Sequence, residues 1–190
     1  MRSALTLVSL VLFASLVACT SEPIPRNEAK KDALTGNAQS AITTISADVS
    51  NFRQLLDDAY GYVIFPEVGK AGLIVGGAYG RGEVYERGNF IGYADITQMT
   101  LGLQAGGQTY AEVILFQNKE ALDRFTSNKY EPTAQASAIA LKSGASAVAK
   151  YTDGVAIFSH AGGGLMGELA VGGQRFRFTP QSEADMNRQQ

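Results

Sequence analysis

The sequence predicts an α+β fold: an N-terminal helical segment packed on a strongly curved, glycine-rich antiparallel sheet or partial barrel. Three observations carry this prediction. Apolar residues recur at three- and four-residue steps between Glu28 and Ala59. From Tyr60 onward the pattern turns to short β-like runs punctuated by glycine. Glycine pairs also close several of those runs, as bulges and sharp bends require.

The chain opens on a segment that does not belong to this fold. Arg2 is the only charge in the first nineteen residues, and the apolar run Ala4–Ala18 falls short of the roughly 20 residues a membrane-spanning helix needs. Its position behind a positive charge reads as an export signal. The segment ends Leu16-Val17-Ala18-Cys19, which resembles the lipobox of bacterial lipoproteins: a small residue admits the processing peptidase, and the thiol carries a diacylglycerol. The resemblance implies that residues 1–18 are removed and Cys19 is lipidated, with an acyl chain on the new amino terminus. Thr20 after the cysteine implies an outer-membrane location, facing the periplasm or the surface. The alternative is a simple secretory peptide cleaved nearby, with Cys19 a spectator. Each buried methylene contributes about 0.8 kcal/mol, so three chains would make the tether effectively permanent. With no second cysteine there is no intramolecular disulfide, and packing alone must stabilise the domain.

Thr20–Asn27, with two prolines, reads as an extended linker, giving residues 19–27 as lipidated cysteine plus tether. Residues 28–180 form one domain and 181–190 a frayed, flexible tail. In the helical part, Leu34, Ala38, Ala41, Ile42, Ile45, Val49, Phe52, Leu55, Leu56 and Ala59 make one apolar stripe, and Gly36 is a candidate break after a first short helix. The opposite face carries Asp48, Arg53, Asp57 and Asp58 and is net acidic, which favours packing on a core over lying in a bilayer interface. Strands are predicted at Gly61–Phe65, Leu73–Tyr79, Glu83–Arg87, Phe90–Tyr93, Thr97–Ala105 and Tyr110–Phe116. Asn118 then caps a short helix that turns Ala121, Leu122 and Phe125 inward. Gln135–Ala149 reads equally as helix or strand. Val155–Ser159, Leu165–Val171 and Gln174–Thr179 close the sheet.

Losing Arg2 with the leader leaves 15 basic against 18 acidic residues, a net charge of −3. Without a basic cluster this is not a nucleic-acid binder. Gly76–Gly82 has the wrong glycine spacing for a dinucleotide site and leads into strand rather than helix, so no cofactor is expected.

The chain resembles the SYLF (Ysc84-like) family through Ala59-Tyr60-Gly61-Tyr62-Val63-Ile64-Phe65-Pro66, then Val68-Gly69-Lys70-Ala71-Gly72-Leu73-Ile74-Val75-Gly76-Gly77 and Gly80-Arg81-Gly82. Gly102-Leu103-Gln104-Ala105-Gly106-Gly107-Gln108, Phe158-Ser159 and Gly164-Leu165-Met166-Gly167-Glu168 extend it over about 27–178. Asn89–Asp95 departs from the pattern, since many members carry Trp and Pro there. The resemblance implies a lipid-binding module: eukaryotic members are similar to phosphoinositide and phosphatidic-acid binders, and some fungal ones bind actin. An exported protein would not meet actin.

Four cations are candidates for an anionic phospholipid headgroup. Lys70 lies in the family motif, and Arg81 sits between two glycines, where backbone N–H groups and a guanidinium can meet on a phosphate. The same residues also suit a hairpin tip with a solvated arginine. Arg175 and Arg177 alternate with Phe176 and Phe178, placing both arginines on one strand face as headgroup ligands or simply as a solvated face. His160 is the sole histidine and follows Ser159, so the two point to opposite faces and make no catalytic pair. It reads as structural, and one histidine leaves few ligands for a metal. Glu67, Glu83, Glu112 and Glu168 are the carboxylates available for acid–base work, but nothing in the pattern nominates a pair. The expectation is a non-enzymatic, membrane-tethered lipid-binding module without metal; the alternative is a structural envelope lipoprotein that binds a protein partner.

Overall fold

The computed structural model describes residues 28–72, 75–101, 108–132, 137–141, 144–161, 169–170 and 173–186. Residues 1–27, with Cys19 and the linker, lie outside the described residues, as do Glu168 and most of Leu165–Val171.

The predicted helical segment is two helices, α1 (Glu28–Asp48) and α2 (Phe52–Asp58). Its apolar stripe is buried along Ala38, Ile42, Ile45, Val49, Phe52, Leu56 and Ala59. Gly36 does not break α1. A β-carbon there would meet nothing within 4 Å, so the position is open surface. The glycine costs only intrinsic propensity, about 1 kcal/mol.

Eight strands follow: β1 (Gly61–Gly72), β2 (Val75–Glu86), β3 (Asn89–Leu101), β4 (Gln108–Phe116), β5 (Ser137–Ala140), β6 (Val155–His160), β7 (Leu169–Ala170) and β8 (Gln174–Pro180). Helix α3 (Lys119–Thr126) separates β4 from β5, and α4 (Gln181–Met186) ends the described chain. The spatial order is β7-β5-β6-β4-β1-β2-β3-β8. Six consecutive strands, β6 to β8, are antiparallel, while β5 joins β6 in parallel. The sheet is curved but not closed into a barrel.

Its curvature follows from one contact. Gln174 of β8 donates to Glu112 of β4 at 3.0 Å, although β1, β2 and β3 lie between them. At about 4.8 Å per strand step, a flat sheet would hold these strands roughly 19 Å apart. The sheet therefore curls until side chains meet across its concave face.

Alternation fills the two faces differently. The concave face buries Val63, Phe65, Val68, Val84, Ile96, Ile114 and Phe116, with Ala121, Leu122 and Phe125 of α3 packed against them. Phe125 lies 5.1 Å from Phe116 and 5.5 Å from Phe176, centroid to centroid. The Asn118 side chain caps α3 as the sequence predicts, accepting from the Ala121 amide at 3.0 Å, a bond contributing about 1 kcal/mol. On the convex face, α1 and α2 cover Ile64, Val113, Leu115, Ala156 and Phe158.

Two elements differ from expectation for one reason. The segments predicted as two strands each, Leu73–Tyr79 with Glu83–Arg87 and Phe90–Tyr93 with Thr97–Ala105, are continuous over their described parts as β2 and β3. Gly80 and Gly82 do not end a strand. They face β1 where its register slips between Ile64 and Glu67. A β-carbon on Gly82 would collide with the Ile64 carbonyl and sit 2.7 Å from Phe65 Cδ1. Close approach, not a turn, selects glycine there. The ambiguous Gln135–Ala149 segment contains the short strand β5 and irregular chain stapled to Asn51, whose side-chain amide both donates to and accepts from the Ala147 backbone. Residues read as the start of a frayed tail form α4, where Asp185 accepts from Lys31 of α1 at 2.9 Å.

Candidate functional site

The four headgroup candidates separate. Lys70 lies within β1, opposite Ala78 on one side and Gln108 on the other. Arg81 is mid-strand in β2, paired with Glu67 and Asp95, so Gly80-Arg81-Gly82 is neither an anion nest nor a hairpin tip. Its guanidinium donates to the Tyr79 hydroxyl at 2.6 Å and lies 3.5 Å from the Asp95 carboxylate. Register then places Arg177 beside Asp95, and Arg175 beside Thr97. Arg81, Asp95 and Arg177 thus form one lateral row across β2, β3 and β8. Burial pushes the Asp95 carboxyl up to about 6, against the opposing pull of the Tyr79 hydroxyl, Arg81 and Arg177. Arg81 is committed to that carboxylate. Arg175 and Arg177 are exposed on the outer face of the edge strand, with Phe178 buried on the opposite face, as alternation predicts.

His160 closes the far end of α1. Its Nε2 lies 2.8 Å from Asp48 Oδ2, tying β6 to the helix. Ser159, on the other face, sits opposite Glu112. Both it and Glu112 are buried, and among the described residues Ser159 Oγ, Glu112 Oε1 and Gln174 Oε1 have no hydrogen-bond partner. Burial pushes the Glu112 carboxyl up to about 8, with the Gln174 bond opposing. Of the other carboxylates, Glu83 is buried on the convex face, where it accepts from Thr35 at 2.5 Å and Tyr85 at 2.7 Å. Glu67 is exposed. Glu83 and Glu112 therefore lie on opposite faces of the sheet and make no acid–base pair. Among the described residues no three His, Cys, Asp or Glu side chains converge on a metal-sized site.

A cation-lined hollow of about 390 Å³ lies elsewhere, between the helices, β1 and the β2–β3 turn. Arg53 and Asp57 of α2, Gln39 of α1, Tyr62 of β1, and Arg87 and Gly88 of the turn line it. The turn is a two-residue hairpin with φ of 48° at Arg87 and 77° at Gly88, the paired positive φ of a type I′ connection, where Asn-Gly is favoured. Arg87 accepts that backbone, and its guanidinium lies 4.8 Å from the centre of the Tyr60 ring. Tyr60 is itself fixed by its hydroxyl on Glu86 at 2.7 Å. Tyr62 stacks on Tyr85 at 4.8 Å, and burial, then the Asp57 charge, raise its pKa.

The sequence alone does not show this cleft: along the chain Arg53 belongs to the polar face of a helix and Arg87 to the end of a strand. The available signal was Glu86-Arg87-Gly88-Asn89, a short polar step with glycine between two β runs.

The site thus sits on an α+β domain with helices on both faces of a curled, filled sheet and charged hollows at the surface. Residues 97–189 match the family model described as Ysc84: Las17-binding protein actin regulator. Beta cell expansion factor A of Aeromonas veronii is 29% identical over 141 residues, covering 73% of this chain and 53% of that protein. The chain thus spans about half the length of the curated relative it matches.

Proposed function

We propose that this protein is a membrane-tethered, non-enzymatic lipid-binding module of the bacterial envelope, anchored through Cys19 and engaging phospholipid headgroups at its surface. The observation that carries the reading is the exposed pair Arg175 and Arg177 on the edge strand of a domain matched to a binding-protein family. The Leu16-Val17-Ala18-Cys19 sequence supports the anchor, and Thr20 supports the outer membrane. Near-surface Lys and Arg contribute roughly 1 kcal/mol each at an anionic membrane. A domain of net charge −3 gains little from its overall field, so binding relies on a few placed cations. Residues 20–190, lacking the lipid, are expected to co-sediment with anionic vesicles, more weakly after Arg175→Glu with Arg177→Glu. Failure to bind any headgroup at low salt overturns the reading.

A second reading is a partner-binding lipoprotein. The family description names a protein partner, and Met99 and Val148 are large apolar side chains left exposed at 78% and 69%. A stoichiometric protein copurifying with the native chain, lost on Met99→Ser or Val148→Ser, would select it.

A further inference from the structure

The hollow between α1, α2, β1 and the β2–β3 turn combines opposite charges in a way neither a plain anion site nor a solvated surface explains. Arg53 and Arg87 arrive from different elements, and among the described residues neither guanidinium has an ion-pair partner. Arg87 is held there at a conformational cost, since a β-carbon in the left-handed region is disfavoured where asparagine or glycine would relax the turn. Stacking over Tyr60 then restricts its guanidinium. An unfavourable backbone maintained at a surface hollow is a feature of ligand clamps. The same hollow is lined by a carboxylate, Asp57, close enough to Tyr62 to raise its pKa, and by that tyrosine itself.

We propose that this cleft binds a phosphoester carrying an amine, of the phosphoethanolamine type. Arg53 and Arg87 take the phosphate oxygens, with the Gln39 amide as a further donor, and Asp57 with the Tyr62 ring takes the ammonium. Paired guanidiniums are suited to phosphate, and a carboxylate beside an aromatic ring is suited to a primary ammonium. A zwitterionic ligand also gives Asp57 a counter-charge that a purely anionic headgroup lacks, while the two arginines lining the same hollow face the phosphate. The inference rests on the lipid-binding reading for the source of the ligand, but the cleft chemistry is shared with free phosphoesters.

The purified full chain is titrated calorimetrically with glycerophosphoethanolamine, glycerophosphoglycerol and inorganic phosphate. Glycerophosphoethanolamine is expected to bind about fivefold or more tighter than glycerophosphoglycerol, the effect of one added charge-assisted contact. Asp57→Asn should bring the two together. Arg53→Gln and Arg87→Asn should each weaken both about fivefold or more. All three positions are exposed, and asparagine suits the turn, so folding is not at issue. Equal affinity for the two headgroups, or arginine variants that bind like the parent, overturns the proposal; phosphate bound as tightly as glycerophosphoethanolamine reduces the cleft to a simple anion site and overturns it too. In a second arm, the Cys19→Ser chain and the same variants are mixed with phosphatidylethanolamine or phosphatidylglycerol vesicles. Headgroup binding in solution without vesicle binding keeps the cleft and removes the lipid source. Vesicle binding unchanged in the arginine variants keeps the lipid reading and removes the cleft.

Discussion

Two glutamates are buried in the same sheet, one on each face, and their surroundings could hardly differ more. Glu83, on the convex face, is 1% exposed and accepts hydroxyl bonds on both oxygens, from Thr35 of α1 and Tyr85 of its own strand. Glu112, on the concave face, is fully buried and, among the described residues, receives one bond, from Gln174, leaving Oε1 without a partner. Burying a charge is tolerable only where donors compensate it. The helix layer brings a donor to Glu83 because α1 presents Thr35 over β2. The inside of the curl is supplied by its own strands, and these bring apolar side chains, one amide and one unpartnered serine. Glu83 is thus a designed joint between layers. Glu112 is an acid that the fold prefers to keep neutral.

The largest expected effect tests that contrast through pH. Folding raises the Glu112 pKa from 4.5 to about 8. Between those values the unfolded chain has released this proton while the folded protein retains it, so stability is highest below the lower value and falls as pH rises through the window. The slope approaches about 1.4 kcal/mol per pH unit. Urea unfolding of the parent and Glu112→Gln from pH 5 to 8 should therefore diverge, the variant losing far less. Parallel curves would mean that burial does not hold the Glu112 carboxyl neutral.

Breaking the other joint costs less. Glu83→Ala removes the acceptor of a buried tyrosine hydroxyl, whereas Thr35 is exposed and can turn to water. One stranded donor costs about 2 kcal/mol, read as a lower denaturation midpoint. Glu83→Gln, which retains one acceptor oxygen, should recover part of it.

Asp95 is intermediate, and Arg81 decides where it falls. With the guanidinium 3.5 Å away the carboxyl is pushed up only to about 6. Arg81→Ala removes an opposing positive charge and should raise it further. The folded group is neutral below its pKa, so the substitution costs little at pH 5 and about 1 kcal/mol at pH 8. A cost independent of pH would show that Arg81 acts by packing alone.

What could be read in the chain depended on whether one element carried the whole signal. The α1–α2 stripe is local, and its periodicity alone placed Ala38 through Ala59 against the sheet. The curl is not local. Glycines at 80 and 82 announce something unusual, but only the bulge in β1 shows that they make room for a neighbour instead of ending a strand. Glu112 does carry a local sign: in Ala111-Glu112-Val113-Ile114-Leu115-Phe116 a carboxylate stands in an otherwise apolar strand. Alternation says which face it takes, but not that Gln174, from a strand four places away, would be its donor. The Arg53–Arg87 hollow was out of reach for the same reason, since a helix and a turn must be brought together before it exists.

The smallest effect concerns that turn, and it extends the contrast from buried groups to the backbone. Glu83 occupies a site prepared for it, whereas Arg87 occupies one prepared for another residue. Its φ of 48° suits asparagine, and stacking on Tyr60 returns part of the cost. Arg87→Ala keeps the disfavoured conformation and loses the stacking; Arg87→Asn also loses the stacking but relaxes the backbone. Asparagine should therefore exceed alanine in stability by about 0.5–1 kcal/mol, measured as the difference between their urea midpoints. If the two are equal, the left-handed conformation costs nothing at this turn, and the arginine needs no functional reason to be there.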